Sequence, residues 1–165
     1  MFYYLLIVNK NGSLIYDRAF TDTLKLSSNE FINIASIFYS MHAISSKLTP
    51  PSQEKTSELK LENGGIEVLQ ANEMKLVCYQ TLTKLKFIFV TDKTTQLSQC
   101  ENNFKKIYNI YCDVVSKNPF YELDMPIRID EFDNQQCYLQ NLPMIERLYY
   151  NIGRTIFQEF DLLRF

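Results

Sequence analysis

Cys78 and His42, the one histidine of the chain, come closest to forming a nucleophilic enzyme site. A thiol attacks a substrate when a nearby base removes its proton, and a strand carrying Cys78 could meet a helix carrying His42. Such a pair also needs a third group to orient the imidazole, and no Asn or Asp is obviously placed for that role. Because His42 adjoins the apolar stripe of its helix, the sequence favours a structural histidine over a small cytosolic thiol enzyme.

Four carboxylates lie close together in sequence at Asp124, Asp130, Glu131 and Asp133, a composition that suits acid–base chemistry or a cation. The Asp-x-Asp-x-Asp-Gly pattern of a calcium loop is absent from this stretch. Carboxylates near the start of a helix are stabilised by the positive end of its dipole. The sequence therefore favours a solvated acidic face over an active site.

Cofactor and metal sites lack their usual sequence patterns. The chain has four glycines, and none stands in a Gly-x-Gly or Gly-Lys-Ser/Thr context that cradles phosphate. Its four cysteines show no Cys-x-x-Cys spacing, so a zinc site would need thiolates from scattered elements. We predict no catalytic residue, no cofactor, no metal, and free thiols at Cys78, Cys100, Cys112 and Cys137.

The charge balance argues against two further classes of partner. A net charge of −2 with scattered lysines gives no basic surface for nucleic acid or an anionic membrane. No apolar run approaches the roughly 20 residues of a membrane span, and Phe2–Val8 is too short for a signal peptide. We therefore expect a cytosolic chain of 165 residues with one domain and at most a short appendage, and its 46% hydrophobic content supplies a core.

Five strands and two helices are predicted to position these residues. The apolar runs Phe2–Asn9 and Leu14–Phe20 flank Asn11-Gly12, a pair typical of a type I′ hairpin turn with two positive φ angles. Apolar residues then recur every three or four positions in each helix, and Ser27 with Glu30 has capping-box spacing before the first. The helices are predicted at 31–48 and 97–115, and the later strands at 66–70, 74–81 and 85–91, after a polar surface loop over 49–64.

The hydrophobic pattern of the strands predicts their order. The first and fifth strands are apolar on nearly both faces, so both should be central and covered on both sides. Hairpin pairing places the second strand beside the first, and the meander keeps the third, fourth and fifth together. We predict an α+β domain with an antiparallel sheet in the order 2-1-5-4-3 and one long helix on each face.

The segment 118–133 is too apolar for a free linker and too interrupted by proline for a regular element. We expect it to contain both residues that maintain the fold and residues that contact a partner. Phe120 and Met125 should be buried against the sheet or the second helix. Arg128 should stay at the surface, in a local salt bridge or in a partner contact. The partner-facing set predicted for this segment is Asn118, Pro119, Tyr121, Pro126 and Arg128.

A helical extension is predicted over 134–165, beyond the domain of residues 1–133. Its apolar residues follow helical spacing, although Gly153 weakens the prediction by roughly 1 kcal/mol relative to Ala. The stripe could pack on its own domain, dock on a partner or remain partly disordered. Tyr149, Ile156 and Phe160 complete the candidate partner interface.

Several of these segments resemble the synbindin family of TRAPP vesicle-tethering subunits. The resemblance covers roughly Phe2 to Asp133 and has no PDZ-like insertion after the first hairpin. Asn118-Pro119-Phe120-Tyr121, Met125-Pro126-Ile127-Arg128 and Phe132-Asp133 are similar to the end of that family's domain. Ser28–Pro50 is similar to its first helix, and Gly65–Glu67 with Lys75–Phe87 to its central strands.

The resemblance implies a longin, or SNARE-like, domain and a structural role without catalysis. It implies ER-to-Golgi transport, other TRAPP subunits of the longin and Bet-three types as partners, and a share in a composite surface for nucleotide exchange on a Rab GTPase. The chain would be cytoplasmic and peripheral on Golgi or endoplasmic reticulum membranes through the complex. A longin small subunit of another trafficking or adaptor complex is the alternative.

Overall fold

A five-stranded antiparallel sheet in the order β2-β1-β5-β4-β3 forms the centre of the domain, as the strand pattern predicts. The computed structural model describes residues 1–21, 26–48 and 65–135. Its elements are β1 (Phe2–Val8), β2 (Leu14–Ala19), α1 (Ser28–Leu48), β3 (Val68–Gln70), β4 (Met74–Gln80), β5 (Lys86–Asp92), α2 (Leu97–Ile110) and a π-helical turn (Tyr111–Ser116).

The two central strands are buried on both faces. β1 pairs with β5 through registers such as Leu6 with Ile88, and residues 4–8 of β1 and 86–91 of β5 are all buried. The outer strands β2 and β3 carry exposed positions, because only one side of an edge strand meets a neighbour. The apolar character of the first and fifth strands therefore predicts the topology correctly.

One helix packs against each face of the sheet, as predicted. Side chains alternate across a strand, so neighbouring residues of β1 and β5 enter different layers. One layer joins Leu5, Ile7, Phe87 and Phe89 to Cys100, Phe104 and Ile107 of α2. The other joins Tyr4, Leu6, Val8 and Ile88 to Phe31, Ala35 and Phe38 of α1. Each fully buried aliphatic or aromatic side chain stabilises the fold by about 1.5–3 kcal/mol.

The turn between β1 and β2 differs from the predicted type I′ turn. Gly12 has a φ of 91°, but no positive φ occurs at Asn11. Instead, Asn9 Oδ1 accepts hydrogen bonds from the backbone N–H groups of Asn11, at 3.0 Å, and Ser13, at 2.8 Å. The side chain of Asn9 thus organises a longer loop, and a β-bulge shifts the strand register next to it.

Only the Glu30 half of the predicted capping box forms at the start of α1, because the Ser27 hydroxyl donates to the carboxylate and the Glu30 N–H donates to the Ser27 carbonyl. The Glu30 carboxylate accepts the backbone N–H of Ser27 at 2.7 Å and the Ser27 hydroxyl at 2.9 Å. These two hydrogen bonds to the charged form, the backbone one first, lower the pKa of Glu30. These contacts hold the first turn of α1, which begins at Ser28, three residues before the predicted start.

Candidate partner interface

Three residues near the end of the segment 118–133 attach it to the domain. The Ile127 N–H donates to the Ile15 carbonyl of β2 at 2.8 Å. Phe132 is fully buried, with its ring edge-on to that of Tyr16 at a centroid distance of 4.9 Å. Asp133 accepts the Tyr16 hydroxyl at 2.6 Å and pairs with Arg18 at 3.5 Å. Ile127, Phe132 and Asp133 therefore anchor this segment to the fold.

The prediction that Phe120 and Met125 are buried is wrong. Phe120 is 95% exposed, Leu123 is 81% exposed and Met125 is 53% exposed. The chain makes two successive turns here, closed by hydrogen bonds from Tyr121 N–H to the Asn118 carbonyl and from Met125 N–H to the Glu122 carbonyl. Tyr121 takes the position that packs on the core, so its apolar neighbours point outward. We call Phe120, Leu123 and Met125 the exposed trio.

Internal hydrogen bonds hold the loop that carries the exposed trio. Asn118 Oδ1 accepts the Phe120 N–H at 3.0 Å, and the Tyr121 hydroxyl donates to the Met125 carbonyl at 2.8 Å. Burial, followed by the charges of Tyr111 and Asp124, raises the pKa of Tyr121 to about 12, so its hydroxyl remains a donor at neutral pH. Asp124 has a φ of 70°, a left-handed conformation that Asp tolerates better than most residues. The trio is therefore displayed by an ordered backbone.

Carboxylates adjoin the exposed trio in sequence. Glu122 and Asp124 stand on either side of Leu123 in sequence, and Asp130 and Glu131 follow, all four exposed. Arg128 is the one basic residue among positions 118–133, and it is exposed. The local salt bridge considered for Arg128 does not form with any residue that the structure describes. The loop therefore combines apolar side chains with a net acidic border.

The predicted partner-facing residues of this segment lie on the same loop. Pro119, Pro126 and Arg128 are exposed, whereas Asn118 and Tyr121 are half-buried and support the loop. Sequence reasoning missed the exposed trio, although the carboxylates of Glu122 and Asp124 on either side of Leu123 were a signal for exposure. Three predicted members of the interface lie outside the described residues: Tyr149, Ile156 and Phe160.

A second apolar surface runs along the outer side of α1. The sequence suggests one apolar stripe, but the structure shows two, since Phe31, Ala35, Phe38 and His42 are the positions buried on the sheet. The other stripe contains Ile37, Met41, Ile44 and Leu48, spaced by four, three and four residues. Ile37 is 60% exposed, Ile44 61% and Leu48 78%. We call these four residues the outer stripe.

The outer stripe lies on a helix with an unusually low content of charged residues. Between Glu30 and Lys47, α1 carries no Asp, Glu, Lys or Arg, and its exposed polar positions are mainly Ser and Asn. Charged residues are depleted in the cores of protein interfaces, whereas a solvated helix face usually carries them. The composition of α1 is therefore typical of a helix that packs on both sides.

His42 and Cys78 do not form a thiol–imidazole pair. His42 is buried, its Nδ1 accepts the Ile66 N–H at 3.1 Å, and its Nε2 lies 2.9 Å from Gln80 Oε1. A Cβ built on Gly65 would lie 2.4 Å from the imidazole, so the backbone at Gly65 presses on the ring. Burial raises the pKa of the Cys78 thiol to about 12. His42 therefore connects α1 to the segment before β3 and to β4.

Neither a metal site nor a membrane span emerges from the described residues. Within residues 1–21, 26–48 and 65–135, no group of three or more His, Cys, Asp or Glu side chains could hold a metal ion. In the same ranges, no helix is both long and apolar enough to cross a bilayer. The features that remain for function are the exposed trio and the outer stripe.

Comparison with known proteins gives a consistent set of relatives. The sequence model of the Sybindin-like family matches residues 2–142. "Trafficking protein particle complex subunit 4" of Dictyostelium discoideum is 44% identical over 127 residues, covering 77% of this chain and 87% of that protein. Its human namesake is 42% identical over 109 residues, covering 66% of this chain and 45% of its own length. The chain thus spans less than half of the human relative.

A more distant relative and a solved structure complete the comparison. "Trafficking protein particle complex subunit 1" of Dictyostelium discoideum is 29% identical over 145 residues, covering 87% of this chain and 97% of that protein. Among solved structures, Myxococcus xanthus MglB aligns with a TM-score of 0.42 and 14% identity, over 64% of this chain and 76% of that one. This structural similarity is too low to support an argument.

Proposed function

The chain belongs to the Sybindin-like family, and from that premise we propose that it is a non-catalytic structural subunit of a TRAPP-type vesicle-tethering complex. Its partners are other subunits of that complex, of the longin and Bet-three types. The relatives that support this proposal are named as subunits 4 and 1 of the trafficking protein particle complex.

The observation that carries the proposal is the outer stripe of α1. Ile37, Ile44 and Leu48 are each more than half exposed on a helix face without charges. Contiguous exposed apolar surface of this kind is uncommon on soluble monomers and is typical of a protein interface. Spacing by four, three and four residues keeps apolar side chains on one side of a helix, where they can interdigitate with a second helix or a sheet. A subunit that is buried on several sides in an assembly needs such a surface.

We further propose that the chain contributes to nucleotide exchange on a Rab GTPase. A subunit without catalytic groups contributes to nucleotide exchange if its contacts favour the nucleotide-free GTPase over the nucleotide-bound form. We infer that the chain supplies part of a composite exchange surface on the ER-to-Golgi route. It would then be cytoplasmic and reach Golgi or endoplasmic reticulum membranes through the complex.

Native mass spectrometry after co-expression tests the assignment to a complex. The full chain is produced together with longin-type and Bet-three-type subunits encoded by the same genome, and separately with the small and large chains of an adaptor complex. We expect a stable assembly of defined stoichiometry with the first set and none with the second. A chain that stays monomeric with the first set, or that assembles with adaptor chains, would contradict the proposal.

A further inference from the structure

We propose that the exposed trio of Phe120, Leu123 and Met125 inserts into an apolar pocket bordered by Lys and Arg side chains on a neighbouring protein subunit. The inference rests on the proposed function for the presence of a neighbouring subunit. The chemical character of the expected pocket is inferred from the residues of this loop alone.

The exposure of the trio is the first step. Phe120 is 95% exposed. It lies two residues after Asn118, where the chain leaves the helical region. Single exposed apolar residues are ordinary, but three large ones within six positions of one loop are not. Aromatic side chains are enriched at the centres of interfaces and become energetically dominant when a pocket excludes water around them.

Hydrogen bonds and packing hold the loop that carries the trio. Four hydrogen-bonding groups fix the backbone around the trio: the Asn118 side chain and carbonyl, the Tyr121 hydroxyl and the Glu122 carbonyl. Tyr121 packs on the core and Ile127 pairs with β2, so both ends of the loop are attached to the domain. A surface that is already ordered loses little conformational entropy on binding, which raises affinity.

The charge around the trio selects the occupant. The segment 118–133 has one exposed basic side chain, Arg128. Its exposed carboxylates number four: Glu122, Asp124, Asp130 and Glu131. An anionic membrane would repel this border while the trio inserted. A second copy related by a two-fold axis would bring the same acidic border against itself. A protein pocket bordered by Lys and Arg satisfies both the apolar and the acidic part of the surface.

Site-specific photocrosslinking identifies what lies against the trio. p-Benzoyl-phenylalanine replaces Phe120 in the full chain, the complex is assembled by co-expression, and the crosslinked peptides are sequenced by mass spectrometry after irradiation. We expect crosslinks to one other subunit, at an apolar peptide flanked by Lys or Arg. Crosslinks to residues 136–165 of the same chain, to a second copy, or to no protein would overturn the inference.

Matched variants measure the two parts of the surface. Phe120→Ala should weaken binding to the crosslinked subunit by at least about tenfold with an unchanged melting temperature. The control Leu82→Ala, at an exposed leucine on the turn between β4 and β5, should bind normally. Glu122→Lys should weaken binding at low salt and lose this effect at high salt, whereas Glu73→Lys on the turn before β4 should not.

The outcomes separate this inference from the proposed function. If the complex forms but Phe120→Ala and Glu122→Lys bind like the parent chain, the inference fails and the proposed function stands. If the parent chain does not assemble at all, both fail. Binding of the chain to vesicles of phosphatidylcholine and phosphatidylserine that is lost in Phe120→Ala would also overturn the inference, because it would make a membrane the occupant.

Discussion

At the residue scale, the contact between Gly65 and His42 joins three elements of the fold. The imidazole reaches from α1 to the backbone at Ile66 and to Gln80 of β4, and Gly65 lies against the ring. A glycine is required here by space and not by backbone conformation, since its φ is not in the left-handed region. The arrangement explains why the lone histidine of the chain is buried without having a catalytic partner.

Adding a methyl group at Gly65 tests this contact. A Cβ there would lie within 3.0 Å of three atoms of the imidazole, so Gly65→Ala should lower the free energy of unfolding by about 1–3 kcal/mol in urea titrations. The double variant with His42→Ala is the control, because removing the ring makes room for the methyl group. The two losses should then be less than additive. Additive losses would show that the two residues act independently.

Phe120 and Phe132 form a matched pair of the same residue type within one segment. Phe132 is fully buried against Tyr16, so Phe132→Ala should cost about 3–5 kcal/mol of stability. Phe120→Ala removes a side chain that already lies in water, and its effect should stay within about 0.5 kcal/mol. Chemical denaturation of both variants measures the difference. Equal losses would mean that Phe120 packs inside the domain.

The Cys78 thiol provides a test of the thiol-enzyme alternative. Burial raises the pKa of this thiol to about 12, so it stays almost wholly protonated at pH 8. Because only the thiolate reacts with iodoacetamide, Cys78 should remain unlabelled in the folded protein and react rapidly in urea. Peptide mass spectrometry distinguishes Cys78 from the other thiols. Saturable labelling of Cys78 in the folded chain at neutral pH would revive the enzyme hypothesis.

At the scale of elements, the sequence predicts most where one periodic pattern dominates. The runs of β1 and β5 are apolar on both faces, which determines their central positions and the strand order. The turn type was missed because a single side chain, Asn9, replaces the backbone bonding expected from Asn11-Gly12. The turn preference of Asn11-Gly12 alone does not reveal that a neighbouring side chain will accept the backbone hydrogen bonds of the loop.

The two apolar sides of α1 show a second limit of sequence reasoning. Apart from His42, the residues that face the sheet and those of the outer stripe are all apolar, so their spacing merges into one broad stripe. Only the packed structure separates the buried Phe38 from the exposed Ile37 beside it. Composition predicted that Phe120 would be buried for the same reason. In the sequence, an apolar residue that contacts a partner cannot be distinguished from one that packs in the core.

Charge insertion tests the outer stripe directly. Ile37→Glu should leave the melting temperature of the isolated chain nearly unchanged, because the side chain is more than half exposed. In the assembled complex it should abolish or weaken co-purification, since an interface core disfavours a buried unpaired carboxylate. Ile32→Glu is the matched control, at an exposed isoleucine on another side of the same helix. Equal co-purification of both variants would remove the outer stripe from the interface.

At the scale of the whole molecule, the described residues form one layered domain that offers packing surfaces to partners. Its buried side chains form a core layer on each face of the sheet, while the exposed trio and the outer stripe lie outside those layers. The division into a domain of 1–133 and a helical extension of 134–165 stays a prediction, as does the loop predicted over 49–64, which lies outside the described residues. These features fit a chain whose activity arises in an assembly.

Nucleotide exchange measured on the chain alone and in its complex tests whether the chain contributes to a composite exchange surface. A fluorescent GDP analogue is loaded on a Rab GTPase, and its release is followed with the lone chain, with the complete complex, and with a complex assembled without this chain. We expect the intrinsic release rate with the lone chain and with the incomplete complex, and acceleration only with the complete one. Acceleration by the lone chain at micromolar concentration, or an undiminished rate without it, would contradict the account.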